Sequence, residues 1–367
     1  MQFIYRFIKT ERASAVVLFA ALLLALLCAN VPSLNAPYNA LFNPTIKLGI
    51  NDGLMAVFFF LVGLELKFEL VAGVLKTKAQ ALMPAMAALC GMAVPALFYW
   101  THNHHNPELW RGWAVPAATD IAFALGVLGL VGTRAPAGLK ALLMAIAVID
   151  DLGAIIIIAL FYTAHIFVPA LLAGVVVFAS LVWLNKRGVT HMGLYSLLGL
   201  VLWFCLFKSG VHATIAGVLT ALAVPQTQLK PTIKKLHSMV AFGIMPLFAL
   251  ANANLDLSGF SLAALSQPLP LGIVAGLLLG KPLGIALGVC LAQSLKWGSL
   301  PHGVHGRHVL PLGLLCGIGF TMALFIGHLA FAGQPHFDQQ VKLGVIVASA
   351  LSALCALGTL YLLPRNR

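Results

Sequence analysis

The sequence predicts an all-α polytopic membrane protein with twelve transmembrane helices, two of them interrupted. Three observations predict it. Of the 367 residues, 61% are apolar and only 9% charged, against roughly 25% charged in a soluble domain. The mean hydropathy is +0.99, and the apolar residues form successive runs of the ~20 residues that cross a bilayer. The Lys and Arg residues are also sorted. With twelve spans, sixteen of the 22 fall on the side shared by both tails and only four on the other, with Lys67 and Lys281 inside spans. Such a bias sets orientation. It places both termini of a multi-pass protein in the cytoplasm. Short connections leave no room for a soluble domain, so residues 1–367 read as one membrane domain.

The elements follow in order. Arg6, Lys9 and Arg12 precede an apolar run that resembles a signal peptide but is long for one, and it reads as a retained first span. The spans are placed near 12–30, 54–75, 80–100, 112–132, 138–162, 167–185, 192–207, 210–225, 236–254, 269–295, 309–332 and 339–362. Each is expected to be helical, because lipid leaves no other partner for the backbone. Span four carries Pro116 and then the polar pair Thr119-Asp120 in mid-run. Span eleven carries Cys316-Gly317-Ile318-Gly319-Phe320-Thr321. Paired interruptions in corresponding halves point to a transporter's binding site. Spans three to five and ten to twelve would then be one unit used twice in opposite orientation.

The net charge of +12 lies in short loops, which reads as orientation signal and not as a nucleic-acid surface. The six cysteines sit in apolar runs without a CxxC, so neither disulfides nor a zinc site are expected. A phosphate-binding GxxxxGK[ST] is absent, which removes support for ATP-driven pumping.

Charges inside spans are functional candidates, since each costs roughly 2.5–3.5 kcal/mol at the bilayer centre. Asp150 and Asp151 are adjacent in span five. Neighbouring helix positions point about 100° apart, so one carboxylate can face a cavity and the other a packed partner. Two close carboxylates resist joint ionisation, which suits a site for a proton or a hard cation such as Na⁺ or Li⁺. Asp120 reads equally as a cap on a broken half-helix or as part of an ion path. Thr119 beside it offers a neutral ligand oxygen, or a hydroxyl bonded back to its own helix. Lys281, in span ten between glycines and Pro282, needs a counter-charge, with Asp120, Asp150 and Asp151 as candidates. Glu65 and Glu69 share a face near the cytoplasmic end of span two. They read as a solvated funnel rim or as an entrance that attracts cations and senses pH. His212 is a hydrogen bonder or a pH switch. His102, His104, His105 and Glu108 form an outer-loop cluster with a weak metal-binding reading.

Seven motifs then carry a resemblance that covers nearly the whole chain. They are Asn51-Asp52-Gly53-Leu54-Met55-Ala56-Val57-Phe58-Phe59, Val62-Gly63-Leu64-Glu65, Pro116 through Gly126 around Thr119-Asp120, Ile149-Asp150-Asp151-Leu152-Gly153-Ala154-Ile155, Lys208-Ser209-Gly210-Val211-His212-Ala213-Thr214, Gly280-Lys281-Pro282-Leu283-Gly284, and Cys316 through Thr321. The chain closely resembles the bacterial NhaA family of Na⁺/H⁺ antiporters. Broken helices as a mark of a binding site are known partly from this family, so the interruptions and the resemblance are one line of support. The resemblance implies an inverted repeat whose broken helices four and eleven cross at mid-membrane. It implies electrogenic exchange of Na⁺ or Li⁺ for H⁺, without a cofactor, serving pH and sodium homeostasis. It makes Asp151 the main Na⁺/Li⁺ ligand and pairs Asp150 with Lys281 in the proton-loaded state. Asp120 and Lys281 would balance the half-helix dipoles, Thr119 would neighbour the ion, and Glu65, Glu69 and His212 would serve pH response.

Two departures stand out. The stretch from Val31 to Asn51 is too short to add the β-hairpin that holds the dimer in the best-known members, which leaves a homodimer open but without that hairpin. Those members also carry an acid near the start of span nine, where this chain has Lys230, Lys234 and Lys235. A shifted or blunted pH response is the expectation. One rival reading is a Na⁺-coupled organic solute symporter. Another is an intramembrane aspartyl protease, which the adjacency of Asp150 and Asp151 on one helix and the lack of a GxGD disfavour.

Overall fold

In the computed structural model, residues 2–73, 75–163, 166–258 and 262–364 are described. Arg365 and Arg367 lie outside the described residues, as do the side chains of Arg6, Lys9, Arg12 and Lys78. The described residues are helical, with no strand among them. The α-helices in chain order are α1 Gln2–Asn30, α2 Pro32–Leu41, α3 Pro44–Leu48, α4 Met55–Ala72, α5 Lys78–Asn103, α6 Ile121–Val131, α7 Ala137–Phe161, α8 Val168–Lys186, α9 Met192–Ser209, α10 Ile215–Ala223, α11 Gln226–Met239, α12 Met245–Asn252, α13 Leu262–Leu265, α14 Pro268–Ala275, α15 Lys281–Ser294, α16 Val309–Cys316, α17 Phe320–Ala330 and α18 Pro335–Leu362. The connection expected between the first two spans is itself helical, as α2, α3 and a π-helical turn at Gly49–Leu54.

Among the described residues, eight helices are long and apolar enough to cross a membrane, or up to ten if each of two bent pairs is one span. The two remaining segments read as spans differ for visible reasons. Helix α4 has 18 residues but carries Glu65, Lys67 and Glu69. Helix α10 has nine residues, about 14 Å at 1.5 Å per residue, less than half the hydrocarbon thickness.

The bent pairs are the two interrupted runs. A 3₁₀ helix at Pro107–Ala117 meets α6 at 44°, and the segment Gly306–Cys316 meets α17 at 47°. Close backbone approach requires glycine at the second break. A Cβ on Gly317 would stand 2.4 Å from the Leu277 carbonyl oxygen, and one on Gly319 would stand 3.2 Å from that of Ala118. Small residues also let α15 lie against α5. A Cβ on Gly284 would meet the Cys90 carbonyl oxygen at 2.4 Å, the close packing that membrane helices use in place of a hydrophobic driving force. That contact fixes the start of α15, where Lys281 follows a π-helical turn at Gly276–Gly280. Single π turns of this kind favour functional sites.

Candidate functional site

The two breaks meet at the centre of the fold and satisfy each other's backbone. The Asp120 N–H donates to the Ile318 carbonyl at 2.7 Å. The Asp120 carboxylate caps both helices that leave the breaks. Its Oδ1 accepts from the Phe123 N–H of α6 at 3.0 Å, and its Oδ2 accepts from the Thr321 N–H of α17 at 3.0 Å and from the Thr321 hydroxyl at 2.5 Å. Each helix start exposes unpaired N–H groups and a positive dipole end, so one anion answers two ends. The capping reading of Asp120 therefore describes its contacts, and it holds a second helix besides its own.

The carbonyl ends that run into the breaks are met by donors. Lys281 Nζ donates to the Ala117 carbonyl at 2.5 Å and to Asp150 Oδ2 at 2.6 Å. The Thr119 hydroxyl lies 2.8 Å from both Asp150 Oδ2 and the Cys316 carbonyl, and its one proton can serve only one of them at a time. Neither partner belongs to its own helix. Lys281 is fully buried, and Asp150 is 1% exposed. Of the three candidate counter-charges, Asp150 is the partner in this structure. The other Asp150 oxygen, Oδ1, is buried with no hydrogen bond.

Asp151 points elsewhere, as adjacency on α7 requires. It is 3% exposed and makes no hydrogen bond among the described residues. With Asp120 it lines a cavity with ≈ 90 Å³ of water-accessible space, whose walls also include Phe58, Met144, Met322, Glu65 and His237. Glu65 and His237 face each other there, 3.7 Å apart and 31% and 23% exposed. The cavity thus runs from a buried carboxylate to a solvated rim.

The family profile "Na+/H+ antiporter 1" matches residues 5–360. The Na(+)/H(+) antiporter NhaA of Vibrio parahaemolyticus is 47% identical over 97% of this chain and 96% of its own length. NhaA 1 of Klebsiella pneumoniae is 46% identical over 99% and 96%, and NhaA 2 of Pseudomonas syringae pv. tomato is 47% identical over 96% and 93%. This chain belongs to the NhaA family of Na⁺/H⁺ antiporters.

In this NhaA-family chain the predicted residues divide into three places. Thr119, Asp120, Asp150, Asp151 and Lys281 come together at the crossing. Glu65 stands at the rim of the cavity, while Glu69, one turn further along α4, does not line it. His212 is away from both. Its Nδ1 lies 3.6 Å from the Asp52 carboxylate, at the far end of α4 from Glu65. The outer-loop histidines form no group that could hold a metal among the described residues. Sequence reasoning missed His237 and Ser349. The Ser349 hydroxyl accepts the Phe320 N–H at 3.1 Å and so helps start α17. A lone His on the polar α11 and a Ser in an apolar span give no signal of their partners.

Proposed function

We propose that the chain exchanges Na⁺ or Li⁺ for protons across the bacterial inner membrane, expelling Na⁺ from a cytoplasm that holds both termini. The reading is of one membrane domain with twelve spans. The nine-residue α10 and the charged α4 would join the ten apolar candidates, and similar bends of 44° and 47° support an inverted repeat. The Na⁺-coupled symporter finds no support in the family membership.

The observation that carries the proposal is a division of labour between two adjacent carboxylates. Asp150 is held by Lys281 at 2.6 Å, and Asp151 is unpaired at the floor of a cavity that reaches a solvated rim. An unpaired carboxylate in a dry site takes up a proton or a cation, since an isolated buried charge is costly. Na⁺ arriving through the cavity would be bound by Asp151, with Asp150 leaving Lys281 to join it and Thr119 supplying a neutral oxygen. Proton and Na⁺ then compete for the same oxygens, and binding one expels the other. Alternating access requires only that the loaded site face each side in turn. The proposed cycle calls for no cofactor. With more protons than Na⁺ carried per cycle, exchange is electrogenic and responds to membrane potential. Glu65, with Glu69 near it and His237 opposite, would set cation attraction and pH response at the rim.

Proteoliposomes with an imposed pH gradient and a fluorescent pH probe test this. Gradient collapse on adding Na⁺ or Li⁺ but not K⁺, lost in Asp151→Ala, is the expected result. No response to Na⁺ at any pH from about 6 to about 9, the range over which buried carboxylates and imidazoles titrate, would remove the exchange.

A further inference from the structure

The backbone at the break between α16 and α17 is held by side chains and carbonyls from several elements. The Cys316 carbonyl meets Thr119, and the Ile318 carbonyl meets the Asp120 N–H. The Gly317 N–H turns back to the Gly313 and Leu314 carbonyls. The first two N–H groups of α17 go to Ser349 and Asp120. One group there is left over. Ser352 is fully buried, and its hydroxyl makes no hydrogen bond. It lies three residues along α18 from Ser349, so the two serines share a face. A buried hydroxyl without a partner is costly and calls for a reason.

An acceptor for it stands close by. A Cβ on Gly317 would meet the Leu277 carbonyl oxygen at 2.4 Å and the Ser352 hydroxyl oxygen at 3.0 Å. Both groups therefore border one glycine. The Leu277 carbonyl has also lost its helical donors. It lies in the π-helical turn Gly276–Gly280, where the Lys281 N–H donates to the Gly276 carbonyl. The next donor along the turn would be residue 282, a proline, which has no N–H. Leu277 is four residues before Lys281, one turn back on the rod that carries the lysine.

The place of these serines parallels that of the first carboxylate. From Asp120, which caps α6, to Asp150 is thirty residues, and from Gly319, which precedes α17, to Ser349 is also thirty. Asp150 on α7 accepts from Thr119 at the first break, and Ser349 on α18 accepts from Phe320 at the second. Helix α18 thus attends its break as α7 attends the other, with neutral hydroxyls in place of charge.

We infer that Ser352 is a positioning residue for the exchange, its hydroxyl donating to the Leu277 carbonyl in the state in which Asp150 has left Lys281. The inference rests on the antiport reading, in which Na⁺ binding breaks that pair. In the paired state the hydroxyl and the carbonyl both go without this bond. Loss of the Asp150 contact frees the turn before Lys281 to settle against the α16–α17 break, and the new bond stabilises it there. Ser352 thereby favours Na⁺ loading while touching neither the ion nor a carboxylate.

The test compares Ser352→Ala with Ser349→Ala in the full chain. Thermal unfolding in detergent is measured in buffers without and with Na⁺, and exchange is measured in proteoliposomes. Ser352→Ala removes no bond that the Lys281-paired state makes, so its Tm without Na⁺ should equal or exceed that of wild type. It removes one bond from the Na⁺-loaded state, so the apparent KM for Na⁺ should rise about fivefold, the weight of one hydrogen bond. The gain in Tm on adding Na⁺ should shrink. Ser349→Ala strands the Phe320 N–H and should lower Tm in both buffers. A Tm of Ser352→Ala lowered without Na⁺, or an unchanged KM, would overturn the role of Ser352 and leave the antiport standing. A wild type that never responds to Na⁺ would overturn both.

Discussion

At Lys281 and Asp150 the fold has buried an amine and a carboxyl group in the protein interior, and their 2.6 Å contact is what makes that tolerable. Removing one partner strands the other, at about 3–5 kcal/mol for a buried pair. Lys281→Ala should therefore lower thermal stability in detergent sharply, and Asp150→Ala with Lys281→Ala should recover part of the loss. A double-mutant cycle with no coupling would contradict the pairing. Asp151 predicts the reverse pattern. It has no hydrogen bond to lose among the described residues, so Asp151→Ala should leave Tm unchanged or raise it while abolishing exchange. Competition between proton and Na⁺ also fixes a sign with pH. Where the free site is protonated, each unit of acidification raises the apparent KM for Na⁺ about tenfold for each proton displaced, by mass action. A KM independent of pH would mean that the two ions do not share a site.

Among the elements, the half-helices depend on Asp120 as a shared cap. Asp120→Ala removes acceptors for the Phe123 and Thr321 N–H groups at once, at about 1 kcal/mol per cap and more where the donors stay buried. Asp120→Asn keeps one acceptor and should lose less than half as much stability, which thermal unfolding of the two variants compares. Helices α4 and α10 cross through glycine. A Cβ on Gly217 would stand 2.1 Å from the Ala56 carbonyl oxygen, so the helices must separate to admit one. Lys67 ties the same pair by donating to the Leu222 and Val224 carbonyls at 2.7 and 2.5 Å. This explains how a nine-residue helix is held in place, and why a charged residue is accepted within α4.

For the whole molecule, the Lys/Arg asymmetry predicts that reporters fused to either terminus report the cytoplasm, and a split result would refute the twelve-span count. The basic stretch Lys230, Lys234 and Lys235 on α11 leads to His237 at the cavity rim. Positive charge there should blunt the response of exchange to alkaline pH. A steep alkaline activation of wild-type exchange in vesicles would contradict this.

The helical class, the two interruptions and the five charged or polar residues of the crossing could be read in the chain, because lipid makes each polar group conspicuous against its apolar run. Composition and charge order were enough for that, and the motifs were enough for the family. Which carboxylate holds Lys281, and which stands free in the cavity, was decided only by tertiary structure. Asp150 and Asp151 are neighbours on one helix, and their roles separate only when α15 and the broken helices arrive on one side of α7 and the cavity opens on another. The contacts of His212 with Asp52 and of His328 with Asp338 were hidden for the same reason. Such residues meet only where the packing of helix ends brings distant segments together, and spacing along a chain carries no record of that distance.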